Sequence, residues 1–189
     1  NLHLALHYTY GRGYYEEFRE DDNLSNYYDF LENKSLDLVR RRWLSNHFYG
    51  LTYSFSKKFD KSEINIGGAL NEYDADHFGE IIQPQLMVSE PYYFSKSFKK
   101  DGNIFIKYNL NITESAELFT DMQLRGYSHK MKGNDNDKSI IDVDKNNVFF
   151  NPKIGLTKSL NDKVSLYGSV AIANREPIRS DYIDSKIEP

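Results

Sequence analysis

Four side chains able to bind a cation or move a proton crowd into seven positions: Asp74, Asp76, His77 and Glu80, within "NEYDADHFGE". Calcium would take the carboxylates through oxygen, and the histidine would prefer a transition metal. In a strand Asp74 and Asp76 share one face, while Tyr73, Ala75 and His77 share the other. The two aspartates therefore converge only if a strand continues through them. The ligand spacing and glycine of an EF-hand loop are absent. The expected reading is a solvated acidic run where a strand leaves an apolar environment, with Tyr73 at the interface and a metal at Asp74 and Asp76 as the minority alternative.

Three further groups are candidates. Asn174, Arg175, Glu176 and Pro177 lie in "ANREPIRSDY" with Arg179 and Asp181, where an ion-pair network would anchor a loop. Arginine also pairs well with carboxylate or phosphate on a ligand. Tyr92, Tyr93 and Phe94, in "PYYFSKSFKK", are a possible ligand-stacking loop. His3 and His7 fall on one strand face, roughly 13 Å apart and too far for one metal. No catalytic triad, nucleophile elbow or phosphate loop is visible, and "GRG" at Gly11–Gly13 lacks the strand–helix context of a nucleotide motif. The expectation is a protein that is not an enzyme and carries no cofactor.

The elements that must position these residues have a period of two. Leu2, Leu4, Leu6, Tyr8 and Tyr10 alternate with His3, Ala5, His7 and Thr9; Ile104, Ile106, Tyr108, Leu110 and Ile112 alternate with residues that are polar except for Phe105. Such alternation argues strands with one apolar face. It recurs in seven runs, near residues 2–10, 38–57, 63–74, 103–112, 117–130, 148–158 and 163–174. Short polar turns at "FDKS", "TESA" and "LNDK" join alternate pairs. Long connections, at about 11–37, 74–102 and 132–146, join the others.

Composition narrows the class. A net charge of -4 without a clustered basic surplus excludes a nucleic-acid binder. Cysteine is absent, so no disulfide or thiolate site exists. The chain holds 15 Tyr and 12 Phe against one Trp, which favours strands. Mean hydropathy is −0.68, and no apolar run approaches the roughly 20 residues of a membrane helix. A membrane barrel remains open, because only alternate strand residues face lipid. Strictly alternating short and long connections are the pattern of such barrels, with Tyr8, Tyr10, Tyr49, Tyr53, Tyr73 and Tyr108 as interfacial aromatics. A soluble β-sandwich, binding carbohydrate, is the alternative reading of the same alternation.

Several long stretches resemble TonB-dependent receptors of Bacteroidetes-type outer membranes, in order along nearly the whole chain. They are "LHYTYGRGYYEEFRED", "DLVRRRWLSNHFYGLTYSF", "GGALNEYDADHFGEII", "YNLNITESAELFTDMQLRGYSHKMKG" and "NPKIGLTKSLNDKVSLYGSVAIANREPIRSDYID". The resemblance implies an all-β fold: an antiparallel up-and-down meander of about seven strands, excerpted from a barrel of roughly 22 strands with long loops at one end. It implies uptake of siderophore-bound iron, haem, vitamin B12 or a glycan, with outer-membrane lipid, TonB and a surface lipoprotein as partners. TonB would engage an N-terminal region of the parent, and neither that box nor a plug is found in these residues. A passive outer-membrane porin is the remaining alternative.

Overall fold

The computed structural model describes residues 1–31, 34–83, 86 and 88–184. Seven strands follow one another: β1 Leu2–Asn23, β2 Ser35–Lys58, β3 Ser62–Ile82, β4 Tyr93–Thr113, β5 Ala116–Asn134, β6 Ile140–Asn161 and β7 Val164–Ala171. A 3-10 turn, Leu24–Asn26, and a short helix α1, Arg179–Asp184, complete the described elements. The strands form one antiparallel sheet in sequence order. The described strands thus leave no second sheet for a sandwich, and that alternative fails. No described helix is long and apolar enough to cross a membrane, which says nothing of strands.

Register follows the alternation. Leu6 pairs Leu51, Leu51 pairs Leu70, Leu70 pairs Gly102, Gly102 pairs Gly126 and Gly126 pairs Val148. Directly paired residues share a face, so a one-residue slip would move every apolar side chain to the other side. The result is a continuous apolar belt carrying Leu2, Leu4, Phe55, Ile66, Ile106, Met122, Phe150, Ile154 and Val170. Leu6 is 79% exposed and Leu4 70%. Covering one such side chain is worth about 1.5–3 kcal/mol. A belt this wide, left bare, has the size and chemistry of an interaction surface rather than a solvated one.

The strands run further than the sequence periodicity marks. Residues 11–23, 74–82, 93–102, 132–134 and 140–146, expected in long connections, are strand. Beyond the belt both faces are polar or aromatic, so the apolar alternation fades while the pairing continues. Cross-strand pairs sustain it: Arg41 with Glu16, Trp43 with Tyr14, Lys100 with Glu72 and Lys130 with Asp144. The run Arg40–Arg42 is accordingly split across the sheet, with Arg40 on Glu17 at 2.5 Å on the polar face and Arg41 on Glu16 at 2.6 Å on the other. β7, expected to residue 174, ends earlier. Asn174 instead curls back, its side chain donating to the Phe150 carbonyl at 3.1 Å and its N–H to Asn151.

The connections at 24–34, 83–92 and 135–139 are shorter than the long ones expected, and described residues of the first two pack over the polar face. Leu24, Tyr27, Tyr28, Leu38, Ile81, Tyr92 and Tyr93 bury one another there. The Asn23 side chain caps the 3-10 turn, accepting from the Ser25 N–H at 2.9 Å. Tyr28 donates to the Glu90 carbonyl at 2.8 Å, tying the first connection to the second. Lys138 reaches the Ser25 carbonyl at 2.7 Å and the Asp29 carboxylate, tying in the third. Burial and the Asp22 carboxylate push the Tyr27 phenol up to about 12. Two glycines make this closeness possible. A Cβ on Gly79 would lie 2.4 Å from both the Tyr92 and Tyr93 rings. Gly133 takes φ +131, and a Cβ there would lie 2.2 Å from the Phe94 carbonyl oxygen.

Candidate functional site

Odd-numbered residues of β3, β4 and β5 carry side chains onto the polar face. Tyr73, His77, Ser97, Lys99, Asp101, Arg125 and His129 thereby stand together on the face opposite the belt, Asp101 and Arg125 level with it and the others further along the strands. The chain after β7 returns to the same place and brings Glu176, Arg179 and Tyr182. Glu176 is buried, accepting from Lys99 Nζ at 2.7 Å and Arg125 Nη2 at 3.2 Å. Asp101 holds the same Arg125 at 2.6 Å, and Arg179 approaches Asp135 at 3.5 Å. Tyr127 and Tyr182 join hydroxyls at 3.1 Å. Each charge has an opposite partner, as burial at this depth requires.

A cavity of about 480 Å³ opens beside this network, lined by Phe48, Tyr73, His77, Ser97, Lys99 and Arg179 among others. Glu72 and Asp101 also line it, so aromatic rings stand beside charges of both signs, a lining that suits a flat small molecule with polar groups. Burial, reinforced by Arg179, holds the His77 imidazole below its ordinary range, and burial with Lys99 does the same to His129. Both are therefore neutral hydrogen-bonding groups at neutral pH. Ser97 Oγ lies 3.1 Å from His129 Nε2, and Glu176 Oε1 lies 3.8 Å from Nδ1. That last separation exceeds a hydrogen bond, and Glu176 is committed to Lys99 and Arg125. The trio lacks the orienting contact a nucleophile–base pair needs.

The residues singled out in the sequence divide between the two faces. β3 does continue through "YDADHFGE", so Asp74 and Asp76 share the belt side, where Lys96 Nζ lies 3.5 and 4.0 Å from them. Glu80, on that side too, accepts from Trp43 Nε1 at 2.9 Å. Among the described residues no group of three or more His, Asp or Glu is placed to hold a metal. Tyr73 and His77 point to the polar face, so Tyr73 is no interfacial aromatic of the belt; Tyr8, Tyr10, Tyr49, Tyr53 and Tyr108 are on the belt side.

The other candidates separate likewise. Tyr92 and Tyr93 are buried in the loop core, while Phe94 turns to the belt side and is 44% exposed. Asn174 fastens the end of β7, Arg175 is exposed and lies 3.7 Å from Asp181, Glu176 is the buried hub, and Pro177 is half-buried. Lys99, Arg125, His129 and Phe48 were not singled out by the sequence. Their only signal was the polar-face position on an alternating strand, odd in β4 and β5 and even in β2.

No family model matches the chain, and no curated protein matches it. Among solved structures it is similar to the ferric yersiniabactin uptake receptor FyuA from Yersinia pestis, with a TM-score of 0.52 at 10% identity. That match covers 89% of this chain and 25% of the receptor, so the chain spans about a quarter of its length. The chain therefore has an all-β fold, an antiparallel meander of seven strands in one sheet, similar to a stretch of an outer-membrane barrel wall.

Proposed function

We propose that this chain is part of the barrel wall of a TonB-dependent receptor in a bacterial outer membrane, of the Bacteroidetes type that its motifs resemble, which binds and imports a scarce nutrient. The observation that carries the reading is the belt. One face of the sheet is apolar and exposed over seven strands and is bounded by Tyr8 and Tyr49, while the opposite face holds polar groups. A wall between hydrocarbon and an aqueous lumen needs this division. The cavity at Phe48, Tyr73, His77 and Lys99 would then face the lumen and contribute to ligand capture.

Siderophore-bound iron, haem, vitamin B12 and glycans are the ligand classes in view. TonB would act through another region of the parent receptor, and a surface lipoprotein is a further partner. The test is uptake by cells carrying the whole receptor. The protein should fractionate with the outer membrane, and uptake of its nutrient should stop when the gene is deleted or the proton-motive force is collapsed. Uptake that survives the collapse would overturn active transport and point to a porin.

A further inference from the structure

Of the three consecutive arginines on β2, two hold carboxylates and the third has none among the described residues. Arg40 meets Glu17 and Arg41 meets Glu16. Arg42 points to the polar face, in the row of Tyr15, Gly79 and Tyr93. Its Nε donates to the Tyr93 hydroxyl at 3.3 Å. Its guanidinium lies 5.5 Å from the Tyr15 ring centre and 5.7 Å from that of Tyr93. Neither Nη nitrogen has a protein acceptor among the described residues, and neither is shut off from solvent. Glu17 faces the same side but is already shared by Arg40 at 2.5 Å and Arg19 at 2.8 Å. Every other described arginine that is not exposed has a carboxylate within 3.5 Å. A half-buried guanidinium without such a partner is costly unless something else supplies the negative charge.

Arg42 stands in a cavity of about 420 Å³ lined by Gly13, Tyr15, Leu44, His77 and Tyr93 among others. The "GRG" run thereby acquires a place: Gly11 and Gly13 pair Asn46 and Leu44 on the polar face. A Cβ on Gly13 would meet nothing within 4 Å. Packing does not demand glycine at this position; its missing side chain leaves the space beside Arg42 open. His77 also lines the cavity at Phe48, Tyr73 and Lys99, so the two hollows share a wall.

One accessible cation between tyrosine rings and a leucine selects one negative charge on a flat, mostly apolar body. A carboxylate matches it, its two oxygens meeting the paired N–H groups at the end of the guanidinium. Arg12 is in the lining too, but it points to the belt side against Trp43. A phosphate dianion would therefore find no second cation on this face.

We infer that this cavity binds a ring-borne carboxylate of the ligand, with Arg42 as its anchor. The inference rests on the lumen placement of this face proposed above, and it names a chemical group that the captured ligand carries.

The test uses the whole receptor, purified in detergent, with para-fluorobenzoate as the probe and fluorine NMR as the readout. para-Fluorobenzamide, of the same shape without the charge, should bind about tenfold more weakly. Arg42→Gln should weaken the benzoate by a similar factor and leave the benzamide unchanged. Arg42→Lys, which keeps the charge and loses the fork, should fall between. Gly13→Leu, which fills the open space without altering a charge, should abolish binding of both. Arg41→Gln, the same change of charge on the opposite face, should alter neither. Failure of the probe to bind the wild-type receptor would overturn the proposal. So would equal affinities for acid and amide, or displacement of the probe by inorganic phosphate as readily as by acetate. If Arg42→Gln does not assemble, Gly13→Leu with the acid–amide pair gives the same reading. Binding and uptake fail separately. A receptor whose uptake needs the proton-motive force but that ignores the probe sinks only this inference; one that binds the probe and imports nothing sinks only the transport reading.

Discussion

Glu176 and Lys99 meet at 2.7 Å on the polar face, joining the segment after β7 to the middle of β4. The carboxylate is buried, while the lysine keeps partial contact with solvent. Glu176→Gln would leave Lys99 without its main partner and Arg125 with Asp101 alone. Removing one member of a buried pair costs about 3 kcal/mol, here reduced by the exposure of the lysine. The expected outcome is local. Residues 172–184 should gain hydrogen exchange and protease sensitivity while the belt strands stay protected.

The same network should respond to acid. Burial, then Lys99, holds His129 below its ordinary value, with Glu176 opposing and Arg179 reinforcing. The folded state therefore prefers the neutral ring. Its contribution is fully present above the unfolded value near 6.5 and is lost as pH falls through the depressed folded value. The protection of residues 172–184 against hydrogen exchange, relative to an unstructured chain at the same pH, should fall as pH drops below about 6.5. His129→Gln should flatten that response, and an unchanged profile would rule His129 out as its source.

Face assignment is open to a direct test in the belt. Ile106 faces outward, and its neighbour Lys107 faces the polar side, 3.7 Å from Asp121. Ile106→Lys should cost about 2–4 kcal/mol of folding stability in a bilayer. Asn109→Lys, on the polar face opposite Glu63, should be near neutral. Denaturant titration in lipid vesicles would compare them; equal effects would mean the faces are reversed or both wet.

Gly133→Ala places a Cβ against the Phe94 carbonyl at a backbone angle that L side chains rarely adopt. A destabilisation of about 1–3 kcal/mol is expected, felt first where β4 meets β5. Amide exchange at residues 94–97 should report it before the global melting temperature moves.

The sequence disclosed the strands where apolar and polar residues alternate, as at Ile104 to Ile112. It did not disclose the strand lengths. At Arg12–Glu17 and Lys96–Lys100 the two faces have similar polarity, so periodicity carries no signal, and only register shows that Arg41 finds Glu16 and Lys100 finds Glu72. Glu176 drew notice as a loop anchor, and it is one. Its partners Lys99 and Arg125 lie 77 and 51 positions away, a pairing fixed by the meander and the returning segment rather than by any local motif. In "YDADHFGE" the pleat keeps Asp74, Asp76 and Glu80 on the belt side, spread along β3 beside Lys96 and Trp43, and of the four sends only His77 to the polar face.

Lys138 has a mechanical consequence. It joins the connection between β5 and β6 to that between β1 and β2 through Ser25 and Asp29. Those two hairpins stand four strand spacings apart, about 19 Å along a flat sheet. A bond between their tips acts as a chord across an arc. The two tips are thus tied to each other across the sheet, and removing that one ammonium would free the first connection from the third.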